Sequence, residues 1–286
     1  MGESTYVPRS GESWRNPYPM YSDLRNNSPA YFVEEGSYWF LSRFEDVFNA
    51  VRNTRVFSSR HGLTIDQDSN NLDMGDSAPI VFLDPPEHTE FRRLISKGFT
   101  PRKAEDMTED ISSFVESAIN RIKELETCDI ISELFKPLPS FVVSKYLGVP
   151  ASDRVVFDTW TEKIVAGAIH NKENEGLEAI YEVTNYFTEL IEWRKKTPGD
   201  DLISELIEMG EEKVSIMWIL GLAFTMIAGG NDTTTGLLGG SVVLLSENPD
   251  QRKLLLEDLS LLPDAIEELL RMTSPVQGLS RVILED

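Results

Sequence analysis

The sequence predicts a mainly α-helical fold with a small β region, formed by a single domain that covers residues 1–286. Apolar residues recur at helical spacing through most of a body that spans about residues 85–273. Before this body, the segment at about 30–43 places alternating large apolar residues around a Glu-Glu-Gly turn, which is typical of two short strands. No Pro/Gly-rich linker divides the chain, so a single domain is the expected organisation.

The predicted elements follow one another simply along the chain. A helix at 18–26 precedes the two strands, an amphipathic helix at 44–53 follows them, and 55–80 is a long loop rich in Ser, Asn, Asp and Gly. Helical patterns then cover 85–100, 102–125, 130–147, 152–169, 175–196, 212–246, 249–258 and 263–272.

Composition and charge exclude several classes of protein. The apolar content of 41% and the charged content of 26% are typical of a globular chain. A net charge of −21 without a basic stripe argues against a nucleic-acid partner. The apolar run Val214–Ala228 is too short for a membrane span. The N-terminus has no signal-peptide pattern, and the single Cys128 fits a reducing cytoplasm and rules out a disulfide framework.

A stretch that disfavours helix interrupts the predicted central helix. Residues 228–236 read AGGNDTTTG and follow an uncharged apolar run. The glycines leave a groove without side chains, and the Thr233 hydroxyl can donate to the Gly229 carbonyl and bend the helix. Close helix packing also accounts for glycines, but it does not account for an ionisable Asp232. The pattern favours a flat cofactor against the helix, with Asp232 and Thr233 as a proton relay.

A second motif, LDPPEHTEFRR, occupies residues 83–93. Asp84 is expected to cap a helix whose first position is Pro85. His88 and Arg92 are four residues apart and therefore share one helical face. The pair fits either a structural salt bridge or a clamp for a carboxylate.

The third motif is EELLR at residues 267–271, in which Glu268 and Arg271 are three apart. By itself, such a pair indicates a weak surface ion pair. Pro275 is expected to end this helix, and Arg281 lies on a predicted strand. A lone arginine on a strand does not by itself indicate a functional site.

Taken in order, the three motifs resemble those of the cytochrome P-450 superfamily, the haem-thiolate monooxygenases, in its soluble bacterial branch. HxxxR and ExxR are weak patterns individually, but their order, with AGGNDTT between them, spans nearly the whole chain. The resemblance implies a cytochrome P-450 fold with haem b as cofactor. It also implies hydroxylation of a small apolar substrate by dioxygen and two electrons. The loop at 59–80 and the helices at 150–196 would shape the substrate pocket.

The resemblance implies roles for individual residues near the cofactor. His88, Arg92 and Arg281 correspond to the partners of the haem propionates. Gly229 and Gly230 correspond to the point where the central helix passes over the haem and leaves room for dioxygen.

The remaining motif residues divide into a catalytic and a structural pair. Asp232 and Thr233 correspond to the acid and alcohol that supply protons during oxygen activation. Glu268 and Arg271 correspond to the family's structural pair, which is buried behind the haem-binding side and is not catalytic.

The sequence departs from the family pattern at the iron ligand. In the family, a cysteine in a glycine-containing loop follows the ExxR helix, and these residues stop at Asp286, before such a loop. Cys128 lies in LETCDIISEL, which lacks the loop pattern, so no metal ligand is assigned. The sequence resembles a family member truncated at its C-terminus. We expect these residues alone to bind haem weakly or not at all, to be inactive, and to expose the Ile216–Ile227 stripe.

Two functions remain open at this point. One is a monooxygenase, and the other is a non-enzymatic helical remnant that binds an apolar ligand or a partner. For the monooxygenase, a basic run predicts a docking patch for an acidic ferredoxin or flavodoxin. This run contains Arg92, Arg93, Lys97, Arg102 and Lys103.

Overall fold

The computed structural model describes residues 6–7, 15–63, 65, 78–169 and 173–285. The chain divides into two compact units. The first contains Met1–Met74, Val81–His88 and Leu279–Asp286, and the second contains Gly75–Ile80 and Thr89–Gly278. The single domain expected for residues 1–286 stays a prediction.

The first unit contains the small β region. Its elements are α1 (Tyr18–Asn27), β1 (Ala30–Val33), β2 (Tyr38–Leu41), α2 (Phe44–Arg52), β3 (Phe57–Ser58) and β4 (Val282–Ile283). Strands β1 and β2 pair antiparallel, with Ala30 opposite Leu41. The turn between them requires Gly36, whose φ is +100°. The two strands expected at 30–43 are therefore confirmed.

Strands β3 and β4 join distant parts of the chain within this unit. They pair antiparallel, with Phe57 opposite Ile283 and Ser58 opposite Val282. Arg281, which was expected on a strand, directly precedes β4. Leu24 and Val33 form part of the buried core of the unit.

The second unit is helical. Its helices are α3 (Glu87–Ile95, whose first residues belong to the first unit), α4 (Pro101–Asp106), α5 (Thr108–Ile122), α6 (Pro137–Tyr146), α7 (Val155–Ile169), α8 (Glu173–Lys196), α9 (Leu202–Glu208), α10 (Ile216–Gly230), α11 (Asp232–Glu247), α12 (Pro249–Glu257) and α13 (Leu262–Thr273). A π-helical turn at Ile131–Phe135 precedes α6, and short 3₁₀ turns lie at Ile80–Phe82, Ser96–Gly98, Ala151–Asp153 and Leu259–Leu261.

Helix α10 lies at the centre of this unit and packs against α6, α7 and α8. Its Ile219, Leu222 and Ile227 are at most 3% exposed. The expected exposure of the Ile216–Ile227 stripe is therefore wrong, because the helices before it in the chain already cover it. Exposed apolar side chains occur instead on later elements, such as Val243 on α11 and Leu256 on α12.

Three helix boundaries differ from the prediction. The segment 102–125 is two helices, α4 and α5, which meet at Met107. The segment 130–147 is a π-helical turn followed by α6, because Pro137 has no N–H to continue the preceding hydrogen-bond ladder. The central helix begins at Ile216 and not near 212, since Ser215 caps it by accepting a hydrogen bond from the Trp218 N–H.

Helix α9 was not predicted from the sequence. Its seven residues are too few for a clear periodic pattern. Asp201 caps it by accepting a hydrogen bond of 2.9 Å from the Ser204 N–H. Asp201 also lies 2.8 Å from the Arg194 guanidinium, which fixes α9 against the end of α8.

The start of α3 also corrects the prediction for Asp84. The helix begins at Glu87, and the Asp84 carboxylate does not cap it. It accepts hydrogen bonds from the Ser58 Oγ at 2.5 Å and the Ser59 N–H at 2.9 Å. Asp84 thus anchors the β3 segment within the first unit.

Parts of the predicted substrate region, namely 64, 66–77 and 170–172, lie outside the described residues. Among the helices that the structure describes, none has both the length and the apolar character needed to span a membrane.

Candidate functional site

The central helix is interrupted at the predicted place. Helix α10 ends at Gly230, α11 begins at Asp232, and Asn231 is the one residue between them. The Thr233 hydroxyl donates to the Gly229 carbonyl at 2.8 Å, as the sequence predicted. The next hydroxyl repeats the pattern, since Thr234 donates to the Gly230 carbonyl at 3.1 Å. Side-chain hydroxyls thus bind helix carbonyls at the bend.

The two glycines before the break have different surroundings. A Cβ atom at Gly230 would lie 2.9 Å from the Cγ2 of Val143 on α6, so this glycine permits close packing of two helices. A Cβ atom at Gly229 would meet nothing within 4 Å among the described residues. Gly229 therefore borders open space, and packing does not explain it.

A pocket of about 340 Å³, open to solvent, lies between α11, α13 and the segment after α13. Its lining residues are Thr233, Thr234, Leu237, Leu270, Ser274, Pro275 and Val276. The pocket brings together the alcohol of the central motif and the residues that follow EELLR. Its walls are mainly apolar, and the hydroxyls are concentrated on the α11 side and at Ser274.

Small residues allow α11 and α13 to approach each other behind this pocket. A Cβ atom at Gly240 would lie 2.6 Å from the Cγ2 of Thr273, and one at Gly236 would lie 3.4 Å from Pro275. Gly236 and Gly240 thus set the separation between the two walls. Asp232 is exposed and is not among the lining residues.

Asn231 and Thr161 form a buried contact at the interruption that the sequence pattern did not indicate. Asn231 is 2% exposed, and its Nδ2 donates to the Thr161 Oγ1 on α7 at 2.7 Å. Thr161 is 1% exposed. The one sequence signal was a polar residue between Gly230 and Asp232, and nothing local connects it to a threonine 70 positions away.

Glu268 and Arg271 form the expected pair. The guanidinium donates two hydrogen bonds of 2.7 Å to the carboxylate, and these bonds lower the pKa of Glu268. However, the side chains are 61% and 67% exposed, respectively. The expected burial therefore does not occur within the described residues.

The three cations expected at the haem propionates are divided between the two units. His88 and Arg281 belong to the first unit, and Arg92 belongs to the second. Arg281 donates to the Ser280 carbonyl at 2.7 Å, and Arg92 is exposed. Their joint action on one ligand stays a prediction.

Cys128 is exposed in the turn between α5 and the π-helical turn, and it does not line the pocket. Within the described part of the chain, no group of three or more His, Cys, Asp and Glu side chains is arranged to hold a metal ion. The described residues at the break thus provide a groove without side chains, an alcohol and an apolar wall.

Comparison with known proteins extends these observations. No family model matches the chain. It is 46% identical over 288 residues to Cytochrome P450 130 of Mycobacterium tuberculosis, which covers 97% of this chain and 71% of that protein. It is 32% identical over 284 residues to Vitamin D(3) 25-hydroxylase of Pseudonocardia autotrophica, which covers 97% of this chain and 70% of that protein.

A solved structure agrees with these sequence matches. The chain superimposes with a TM-score of 0.86 on CYP109E1 from Bacillus megaterium in complex with testosterone, at 30% identity. The match covers 97% of this chain and 73% of that one.

Proposed function

Because this chain belongs to the cytochrome P450 superfamily of haem-dependent monooxygenases, we propose that its helix break forms the oxygen-activating wall of the site. The observation that carries this proposal is the geometry at residues 229–233. Gly229 borders open space, and Thr233 lines an adjacent pocket with mainly apolar walls. An alcohol beside a surface without side chains suits proton delivery to a ligand that lies flat against the helix.

The residues around the break fit one face of haem. Gly229 would allow the planar ligand to approach the α10 backbone, and Leu237, Leu270 and Val276 would contact its apolar surface. His88, Arg92 and Arg281 would bind the propionates, since cationic donors match carboxylates. Haem, when bound, supplies the redox-active iron at which dioxygen is reduced. Cys128, being exposed away from the pocket, is not proposed as a ligand.

Asp232 and Thr233 would have distinct tasks in proton transfer. The Thr233 hydroxyl already donates to the Gly229 carbonyl, and its oxygen can also accept a hydrogen bond. We propose that it holds a proton donor, such as water, at the pocket. Asp232 is exposed, so it can exchange protons with solvent and supply a new proton to the donor held by Thr233.

The relatives support a proposal for the substrate class. One relative is a vitamin D(3) hydroxylase, and one structural neighbour is bound to testosterone. On the basis of these two similarities, we propose a small apolar substrate of the steroid or secosteroid type.

Electrons would come from a protein partner at the surface of α3 and the following segment. Arg93, Lys97 and Arg102 are exposed, and none forms an ion pair with another described residue. Lys103 differs, because its Nζ pairs with Glu205 on α9. We propose that the first three bind an acidic ferredoxin or flavodoxin. This assignment is consistent with a cytoplasmic location, for which the single cysteine also argues.

The test uses a haem-bearing form, in which these residues are followed by the family's cysteine loop. Thr233→Ala should leave haem and testosterone binding unchanged, because the residue is not a major apolar contact. Product per electron pair should fall by roughly tenfold or more, since proton delivery is lost. The remaining electrons should appear as peroxide or water.

Thr234→Ala is the matched control, because Thr234 lines the same pocket and also donates to a glycine carbonyl. It should retain most of the coupling between electron consumption and product. Equal coupling in wild type and Thr233→Ala would remove Thr233 from the relay.

A further inference from the structure

Asn231 occupies the interruption of the central helix, at the N-cap position of α11, yet its side chain does not cap that helix. It forms no cap hydrogen bond with α11. Instead, it is buried and donates through Nδ2 to the Thr161 hydroxyl of α7 at 2.7 Å. The Asn231 side chain thus connects the interruption to α7 by a hydrogen bond.

The direction of this hydrogen bond follows from Thr161. Its Oγ1 lies 3.0 Å from the Phe157 carbonyl and 3.3 Å from the Ile227 carbonyl, and both are acceptors. The hydroxyl has one proton, which goes to a carbonyl, so its oxygen accepts from Asn231. Thr161 therefore links α7, α10 and the break in one buried network.

The second polar atom of Asn231 argues against a packing role. Its Oδ1 is buried and has no hydrogen-bond partner among the described residues. An unpaired buried acceptor is costly, and an apolar side chain of similar volume would avoid that cost. The amide is useful here because its hydrogen bond to Thr161 fixes the orientation of the Asn231 side chain. An apolar side chain could not make this directional contact.

We propose that Asn231 is a positioning residue and Thr161 its anchor, and that together they set the position of Thr233 at the pocket and of the exposed Asp232 next to it. The inference rests on the proposed function, since it assigns these residues to the same proton relay. Helix α7 also packs against α8 and α10. A displacement of α7 is therefore transmitted to the break through Thr161, and the relay responds to the position of that helix.

The test compares substitutions at Thr161 in the haem-bearing form. Thr161→Val keeps the shape and removes the hydroxyl, whereas Thr161→Ser keeps the hydroxyl. Thr184→Val on α8 is the control, because the Thr184 hydroxyl bonds only within its own helix, to the Ile180 carbonyl. Asn231→Leu removes the other partner of the hydrogen bond.

Two readouts are needed. Hydrogen exchange at the amides of residues 232–235 should accelerate by roughly 5- to 30-fold in Thr161→Val and Asn231→Leu. It should stay unchanged in Thr161→Ser and Thr184→Val. Product per electron pair should fall in the first two variants and stay near wild type in the other two, with an unchanged dissociation constant for testosterone.

The outcomes separate this inference from the proposed function. A wild-type protein that makes no product contradicts the proposed function, and the exchange measurement still reports on the hydrogen bond. A productive wild type with normal coupling in Thr161→Val overturns the positioning role, even if exchange accelerates. The positioning role is also overturned if Thr161→Ser fails to keep both readouts near their wild-type values.

Discussion

At the scale of single residues, the adjacent glycines Gly229 and Gly230 of the central motif are required for different physical reasons. Gly230 is required by Val143, whose methyl group leaves no room for a side chain. Gly229 faces open space, and its helical backbone conformation does not require a glycine. A helical glycine without a packing reason costs stability relative to alanine. We therefore propose that Gly229 allows a ligand to approach the backbone.

This difference predicts opposite effects of two adjacent substitutions. In the haem-bearing form, Gly229→Ala should raise the free energy of unfolding by about 0.5–1 kcal/mol, because alanine loses less backbone entropy than glycine when the helix folds. It should nevertheless slow product formation, since the new methyl group occupies the space above the backbone. Gly230→Ala should lower the free energy of unfolding by about 1–3 kcal/mol through overpacking.

Denaturant unfolding and turnover measurements check both variants. Adding Val143→Ala to Gly230→Ala should recover part of the lost stability, because it removes the colliding atom. Full activity in Gly229→Ala would contradict the role of this position in ligand approach.

At the scale of elements, the basic cluster of Arg93, Lys97 and Arg102 is formed by α3, the 3₁₀ turn Ser96–Gly98 and the first turn of α4. Charge steering by such a cluster acts mainly on association and weakens with salt. Arg93→Glu with Lys97→Glu should therefore slow reduction by an acidic ferredoxin most strongly at low ionic strength. Stopped-flow reduction over a salt series measures this effect.

Lys123→Glu provides the matched control, because Lys123 is exposed on the turn after α5 and forms no ion pair among the residues that the structure describes. Its reduction rate should follow that of the wild type. A double variant that is reduced at the wild-type rate at every salt concentration would place the docking surface elsewhere.

Element positions could be predicted wherever the pattern was long and periodic. The hairpin at 30–41 and the interruption at 229–233 depend on local chemistry, namely a Gly36 turn and threonine back-bonding, and both are found. Helix α9 and the Asn231–Thr161 contact could not be predicted. The first is too short to show a period, and the second joins residues that only the packing of α7 on α10 brings together.

At the scale of the whole molecule, burial is distributed unevenly along the chain. Helix α10 is covered on several sides, whereas α11, α12 and α13 contain no fully buried residue. Large apolar side chains are exposed there, including Val243, Leu256, Leu262 and Leu270. Leu270 is one of these exposed side chains and also lines the pocket.

The 286 residues expressed alone should therefore bind haem weakly or not at all and hydroxylate nothing. Haem loses much of its binding free energy when one of its apolar faces stays in water. Any haem that is retained should lack the strongly red-shifted Soret band of a reduced, carbonyl-bound thiolate complex, because Cys128 is exposed away from the pocket. Self-association should also occur through α11–α13, since exposed apolar patches of this kind favour it.

Absorption spectra with carbon monoxide and sedimentation velocity test these expectations together. Leu256→Lys with Val243→Lys should reduce self-association, whereas charge reversal at Lys123, remote from those helices in sequence, should not. A thiolate band in the 286-residue protein would contradict the expectation and point to Cys128, and its loss in Cys128→Ser would confirm that ligand. Haem-free binding of an apolar probe by the same protein, with no thiolate band in any form, would instead favour a non-enzymatic ligand-binding role over oxygen chemistry.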